Sequence, residues 1–99
     1  MSHRGSLLCL PAGIWASPVA RPEQIDESAL ALVFAHAASI DHLLIGTGTD
    51  MAALAPAVRN KLREHHIVTE TMSTGAAVRT YNILLGERRR VAALLIGVP

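Results

Sequence analysis

The run Leu43-Leu44-Ile45 is apolar at three consecutive positions and is closed at once by Gly46-Thr47-Gly48-Thr49-Asp50. A strand with one face in water alternates apolar and polar residues, whereas a strand covered on both faces does not need to. The run therefore predicts a central strand over His42–Ile45, in a sheet with helices packed against it. The flanking patterns agree. Pro56 suits the first turn of a helix, where its missing N–H costs nothing. Leu54, Val58 and Leu62 recur every fourth residue as one apolar stripe, with Arg59, Lys61, Arg63 and Glu64 mainly turned to water. That helix ends near His65-His66, and Ile67–Thr71 reads as the next strand. Ser73 or Thr74 then caps a third helix, and Val91–Val98 reads as the last strand.

Upstream, Ser6–Leu10 is a short apolar strand ended by Pro11-Ala12-Gly13, with Ile14-Trp15 continuing it after the turn. Ala16–Pro22 reads as a loop. Asp26-Glu27-Ser28 places capping and acidic residues before Ala29–Phe34, a helix start favoured by the helix dipole. Strand then helix, three times over, followed by a strand, predicts one α/β domain with a largely parallel sheet. With 99 residues, 51% hydrophobic but only 3% aromatic, the core must be aliphatic, which suits close helix–sheet packing.

Several functions are disfavoured. The net charge of +1 gives no bulk attraction to nucleic acid or a membrane surface, and Arg88-Arg89-Arg90 is short enough to be a solvated turn. No apolar stretch approaches the roughly 18 residues of a membrane span. The run Ser6–Leu10 is too short for a signal peptide and is broken by Pro11. Cys9 is the only cysteine, so the chain holds no internal disulfide. It reads as a small buried hydrophobe with no polar activating neighbour, which fits a reducing compartment such as the cytoplasm. His3, His36, His42, His65 and His66 lack metal-site spacing, and no metal or other cofactor is expected. Asp26-Glu27 is explained by its place at a helix start without acid–base chemistry.

Two loops are candidate binding elements. Gly46-Thr47-Gly48-Thr49 and Ser73-Thr74-Gly75 both follow strands, so an open parallel sheet brings them to the edge where ligands usually bind. Glycines permit close backbone approach, and a helix N-terminus offers N–H donors to an anion. Against this, Met51 stands where a dinucleotide fingerprint needs its third glycine, and there is no phosphate-loop lysine. Tight turns with capping threonines explain the same residues. Arg79, Tyr81 and Asn82, inside an otherwise apolar helix, are the further candidates. Arg79 would support the loops, and Tyr81 is either a pocket hydroxyl or a core ring.

Four segments in order carry a family pattern: Gly5–Pro11, Leu43–Gly48, Met72–Asn82 and Arg89–Leu95. On these the chain resembles the Mth-domain family, related to the mitochondrial complex I assembly factor 3 and the adipogenesis-associated Mth domain-containing protein. The resemblance covers nearly all of residues 1–99 and implies a three-layer α/β sandwich. Its central sheet would be mostly parallel or mixed, with helices on both faces and one or two antiparallel strands. It implies no established enzyme activity and a protein partner, since mitochondrial members act in complex I assembly. The chain departs from the pattern twice. Family members usually carry roughly twenty or more residues, including a strand, ahead of the Gly-Ser-apolar-Pro segment, where this sequence has Met1-Ser2-His3-Arg4. A sheet edge left open there would invite homo-oligomerisation or a partner. Val78 stands where many members have cysteine. The function expected is a non-catalytic interaction protein, assisting respiratory complex assembly as the resemblance implies. The alternative is an anion- or nucleotide-binding protein, or an enzyme, using residues 46–49 and 73–75.

Overall fold

The computed structural model describes residues 6–97; His3, the other residues before Ser6, and Val98 lie outside them. Five strands form one mixed sheet: β1 (Ser6–Leu10), β2 (Gly13–Ser17), β3 (His42–Gly46), β4 (Val68–Met72) and β5 (Val91–Leu95), in the spatial order β2-β1-β5-β3-β4. The expected parallel unit is present. β3 pairs in parallel with β4 on one side and with β5 on the other. The antiparallel part lies at the N-terminal end. Pro11-Ala12 turns the chain back, so that β2 is a strand of its own, pairing antiparallel to β1 with Leu8 opposite Trp15. β1 in turn runs antiparallel to β5, with Leu8 opposite Leu94. The reading of Ile14-Trp15 as a continuation of β1, and of Ala16 onward as loop, is corrected here: the turn reverses the chain, and the second arm satisfies its backbone on the first.

The α-helices of the described residues are α1 (Ala31–Ala35), α2 (Pro56–Glu64) and α3 (Thr74–Gly86). α1 begins later than its capping signal. Asp26 Oδ1 accepts a hydrogen bond from Ala29 N at 2.8 Å, as a cap should, but residues 27–30 form turns before the helix. All three residues of the expected stripe are buried, Val58 and Leu62 on the inner side of α2 and Leu54 in the connection before the helix starts. Two cores result. One joins Leu8, Leu10, Leu43, Ile45 and Leu94 to α1 and α2 through Val33, Val58 and Leu62. The other joins Cys9, Leu44, Val91 and Ala93 to Tyr81 and Leu84 of α3. Leu43 and Ile45 thus face one layer and Leu44 the other, as an unalternating run requires.

Both longer helices stop in the same way. His66 (φ 59°) and Arg88 (φ 60°) take left-handed backbone. In α2, Ile67 N donates to Leu62 O at 3.1 Å and His66 N to Arg63 O at 2.9 Å; in α3, Arg89 N donates to Leu84 O and Arg88 N to Leu85 O, both at 3.0 Å. These are Schellman endings, with His66 and Arg88 where glycine is usual. Arg90 next spans Asp41, with Nε and Nη2 donating to its two carboxylate oxygens at 3.0 and 2.8 Å. That contact holds the Asp41 carboxyl below the usual carboxylate range. The arginine run is therefore a helix stop followed by a strand entry.

At Gly46 the sheet touches α3. A Cβ there would lie 2.8 Å from Thr74 Cα, 3.0 Å from Thr74 Oγ1 and 3.2 Å from Ala77 Cβ. Because the obstruction is helix backbone, Gly46→Ala should lower unfolding stability by about 1–3 kcal/mol, measured by chemical denaturation. Arg88→Gly relieves an unfavourable left-handed conformation on the surface. It should raise stability by up to about 1 kcal/mol in the same measurement.

Candidate functional site

β3 and β4 are adjacent, and the connections that leave their carboxyl ends pass to opposite faces, β3 into α2 and β4 into α3. This is a topological switch point, the place where open α/β sheets usually bind ligands. The sequence places both candidate loops there, and the structure does bring Gly46, Thr47 and Gly48 together with Ser73 and Thr74.

The two loops are bonded to one another. Thr47 N donates to Met72 O at 2.8 Å, and Thr74 N donates to Gly48 O at 2.8 Å. Gly48 N returns a bond to Thr74 Oγ1 at 2.9 Å, and that hydroxyl donates to Ile96 O at 2.7 Å. Ile96 N donates to Gly46 O at 2.9 Å. Thr47 Oγ1 donates to Asp50 O at 2.7 Å, lies 3.1 Å from Met72 O, and accepts from Ala52 N at 3.0 Å. Thr47 and Thr74 are both buried. Gly48, at φ 99°, supplies the left-handed turn that lets its peptide group face Thr74.

Of the two capping candidates, Ser73 occupies the N-cap, with its Oγ accepting from Ala76 N at 3.4 Å. Thr74, one residue on, is the tie between three segments: the loop after β3, the start of α3, and the backbone just past β5. Gly75 is exposed, with open space where a Cβ would be.

The three polar residues of α3 separate by helical phase. Gly75, Val78, Arg79, Asn82 and Ile83 follow the spacing of one helix face, and all five are exposed. Tyr81 is on the inner side, half-buried against the core of Cys9, Leu44, Val91 and Ala93. Burial first, and the neighbouring Cys9 second, push the Tyr81 phenol above its ordinary value. Burial likewise raises the Cys9 thiol, which disfavours the reactive thiolate. Arg79 forms no ion pair among the described residues, so the expected bracing of the loops is replaced by a solvent-facing guanidinium. Sequence reasoning missed the outer face of α3, where Val78 is 39% and Ile83 61% exposed. Their spacing with Arg79 and Asn82 was the available signal. Also missed was a basic groove between α2 and β4, lined by Arg59, Arg63 and His66.

A model of the family described as protein of unknown function (DUF498/DUF598) matches residues 1–96. An uncharacterised Rhodobacter capsulatus protein is 39% identical over 97 residues, covering 98% of this chain and 73% of its own. The Xenopus tropicalis NADH dehydrogenase [ubiquinone] 1 alpha subcomplex assembly factor 3 is 30% identical over 92 residues. That match covers 93% of this chain and 50% of the assembly factor, so the chain spans about half the length of that relative. Among solved structures, a Bartonella henselae protein described as an outer membrane protein aligns with a TM-score of 0.91 at 46% identity, covering 100% of this chain and 83% of that one. A Bordetella pertussis protein, described as a Mth938-like domain, aligns at 0.81 with 30% identity, covering 93% of this chain and 73% of that one.

Thr74→Val keeps the shape of the side chain and strands Gly48 N and Ile96 O. It should cost about 1–3 kcal/mol, while Thr74→Ser, which keeps the hydroxyl, should lose less; paired thermal and urea unfolding curves separate the two.

Proposed function

The chain belongs to the family of proteins of unknown function DUF498/DUF598, and from that membership we propose that it is a non-catalytic interaction protein that assists respiratory complex assembly. The likeness to an assembly factor supports the class of role. The observation that carries the reading is the outer face of α3. Val78 and Ile83 offer apolar area there, and Arg79 and Asn82 offer directional hydrogen bonding beside it. Protein interfaces combine these features, with arginine enriched at their energetic centres. A rigid helix, fixed at its start by Ser73 and Thr74, presents them. The setting in this reading is the cytoplasm, or the mitochondrion for a eukaryotic chain. Anion binding at residues 46–49 and 73–75 is the weaker reading, because the Thr47 and Thr74 hydroxyls and the Gly48 amide already bond within the domain.

Deleting the gene in its native cell should lower assembled complex I on native gels, and the wild-type chain should restore it. Ile83→Asp should fail to restore it. As an exposed position, it should change unfolding stability by no more than about 0.5 kcal/mol. Normal complex I in the deletion strain contradicts the assembly role; full rescue by Ile83→Asp contradicts the assignment of the surface.

A further inference from the structure

α2 lies beside the edge strand β4, and the groove between them has a volume of about 500 Å³, lined by Arg59, Arg63, His66, Ile67, Val68 and Thr69. A recess of about 100 Å³ continues it past Arg59 and Thr69 to Thr71. The helix sorts its cations between its two flanks. Lys61 turns away from the groove, with Nζ 3.0 Å from Glu27 Oε2 and 4.8 Å from the centre of the Phe34 ring. Arg59 and Arg63 are four residues apart on the groove side, exposed, and in no ion pair among the described residues. Nearby carboxylates are directed elsewhere. Glu64, about 100° round α2 from Arg63, is exposed and does not line the groove. Glu70 lies opposite Leu44 in the ladder and so belongs to the α3 face of the sheet. The groove lining holds two guanidiniums and an imidazole and no carboxylate.

The backbone along this groove is also available. Among the described residues, β4 ends the sheet on this side. Val68 N donates inward to Asp41 O at 2.9 Å, and Met72 O accepts inward from Thr47 N at 2.8 Å. Alternate residues of a strand direct their peptide groups to the same side. Val68, Glu70 and Met72 therefore serve β3, and the N–H and C=O of Thr69 and Thr71 face outward along the edge. The strand contains no proline or lysine, residues that often block such an edge, and its one charged side chain, Glu70, is on the α3 face of the sheet, away from the groove.

We infer that the β4 edge binds an extended acidic peptide segment, which adds to the sheet as a sixth strand. Its peptide groups pair with those of Thr69 and Thr71, and carboxylates on alternate residues meet Arg59 and Arg63. The spacings are compatible. Side chains one helical turn apart start about 5–6 Å from each other, and alternate residues of a strand repeat every 6.6 Å or so. Arginine is suited to the contact because its guanidinium can engage a carboxylate through two parallel bonds. The inference uses the α2 side of the sheet and does not depend on the role of the α3 outer face.

The test is selection of a random peptide display library, about twelve residues long, on this protein. The strongest recovered peptide is then measured by fluorescence anisotropy and by amide hydrogen exchange. Recovered peptides should be net negative, with acidic residues at alternate positions. Affinity should fall at least roughly tenfold in Arg59→Glu/Arg63→Glu, while Ile83→Asp leaves it unchanged. Binding should weaken with added salt, and the Thr69 and Thr71 amides should gain protection. The inference is overturned by no enrichment, by recovered peptides without net negative charge, by a smaller loss in the double variant, or by protection confined to other residues. Displacement of the peptide by a single-stranded oligonucleotide of equal affinity also overturns it, since the groove would then be a general anion track.

Discussion

The close approach of α3 to β3 at Gly46 is the constraint on which the rest of the architecture depends. With a Cβ position 2.8 Å from Thr74 Cα, only a hydrogen fits. That proximity lets Thr74 place its hydroxyl between Gly48 N and Ile96 O, and it brings Ala77, fully buried, against the strand. Three chain segments distant in sequence are thereby joined at one hydroxyl, inside a region that the fold class would otherwise leave open as a crevice. A buried hydroxyl is worth most when its partners have no alternative, since each partner would otherwise be stranded without water.

This arrangement accounts for the separation between a conspicuous sequence and an inconspicuous site. The glycines and threonines at the carboxyl ends of β3 and β4 have the composition of a ligand loop because both tasks need the same things: backbone close to backbone, and free N–H groups with a nearby oxygen. Here the oxygen comes from the chain itself. The surfaces proposed for partners lie elsewhere, on the outer face of α3 and along the groove beside β4, on opposite sides of the sheet.

Much of the architecture could be read from local pattern. The unalternating run at Leu43–Ile45 marked the strand covered on both faces, Val58 and Leu62 of the apolar stripe marked the inner side of α2, and the pair Ser73-Thr74 marked the start of α3 without deciding which of the two is the cap. Local pattern fails where pairing is distant. The antiparallel register of β1 on β5 is decided by pairing between residues more than eighty positions apart, such as Leu7 and Leu95, whereas β2 turns back on β1 through the local Pro11-Ala12 turn, which marks where the strand ends but not which way the chain goes next. The resemblance to a family with a mixed sheet supplied the expectation of antiparallel strands that periodicity could not. At the candidate site the types of residue were legible, but not their direction. Arg79 and Tyr81 are two residues apart, and that step of about 200° on a helix sends the guanidinium to water and the ring to the core. The groove beside β4 was invisible because its cations come from α2 and its free peptide groups from β4, and only the sheet order places them together.

The residue 46–48 loop and the start of α3 form one bonded clasp belonging to the core. The decisive measurement is native-state amide hydrogen exchange resolved at Gly48 and Thr74, because these two amides donate between the loop and the first residue of α3. Both amides should exchange only through opening as costly as that of the central strand β3, so that their protection tracks Leu44 and Ile45 as denaturant is added. Exchange of Gly48 and Thr74 at the rate of an exposed loop, while β3 stays protected, would contradict it.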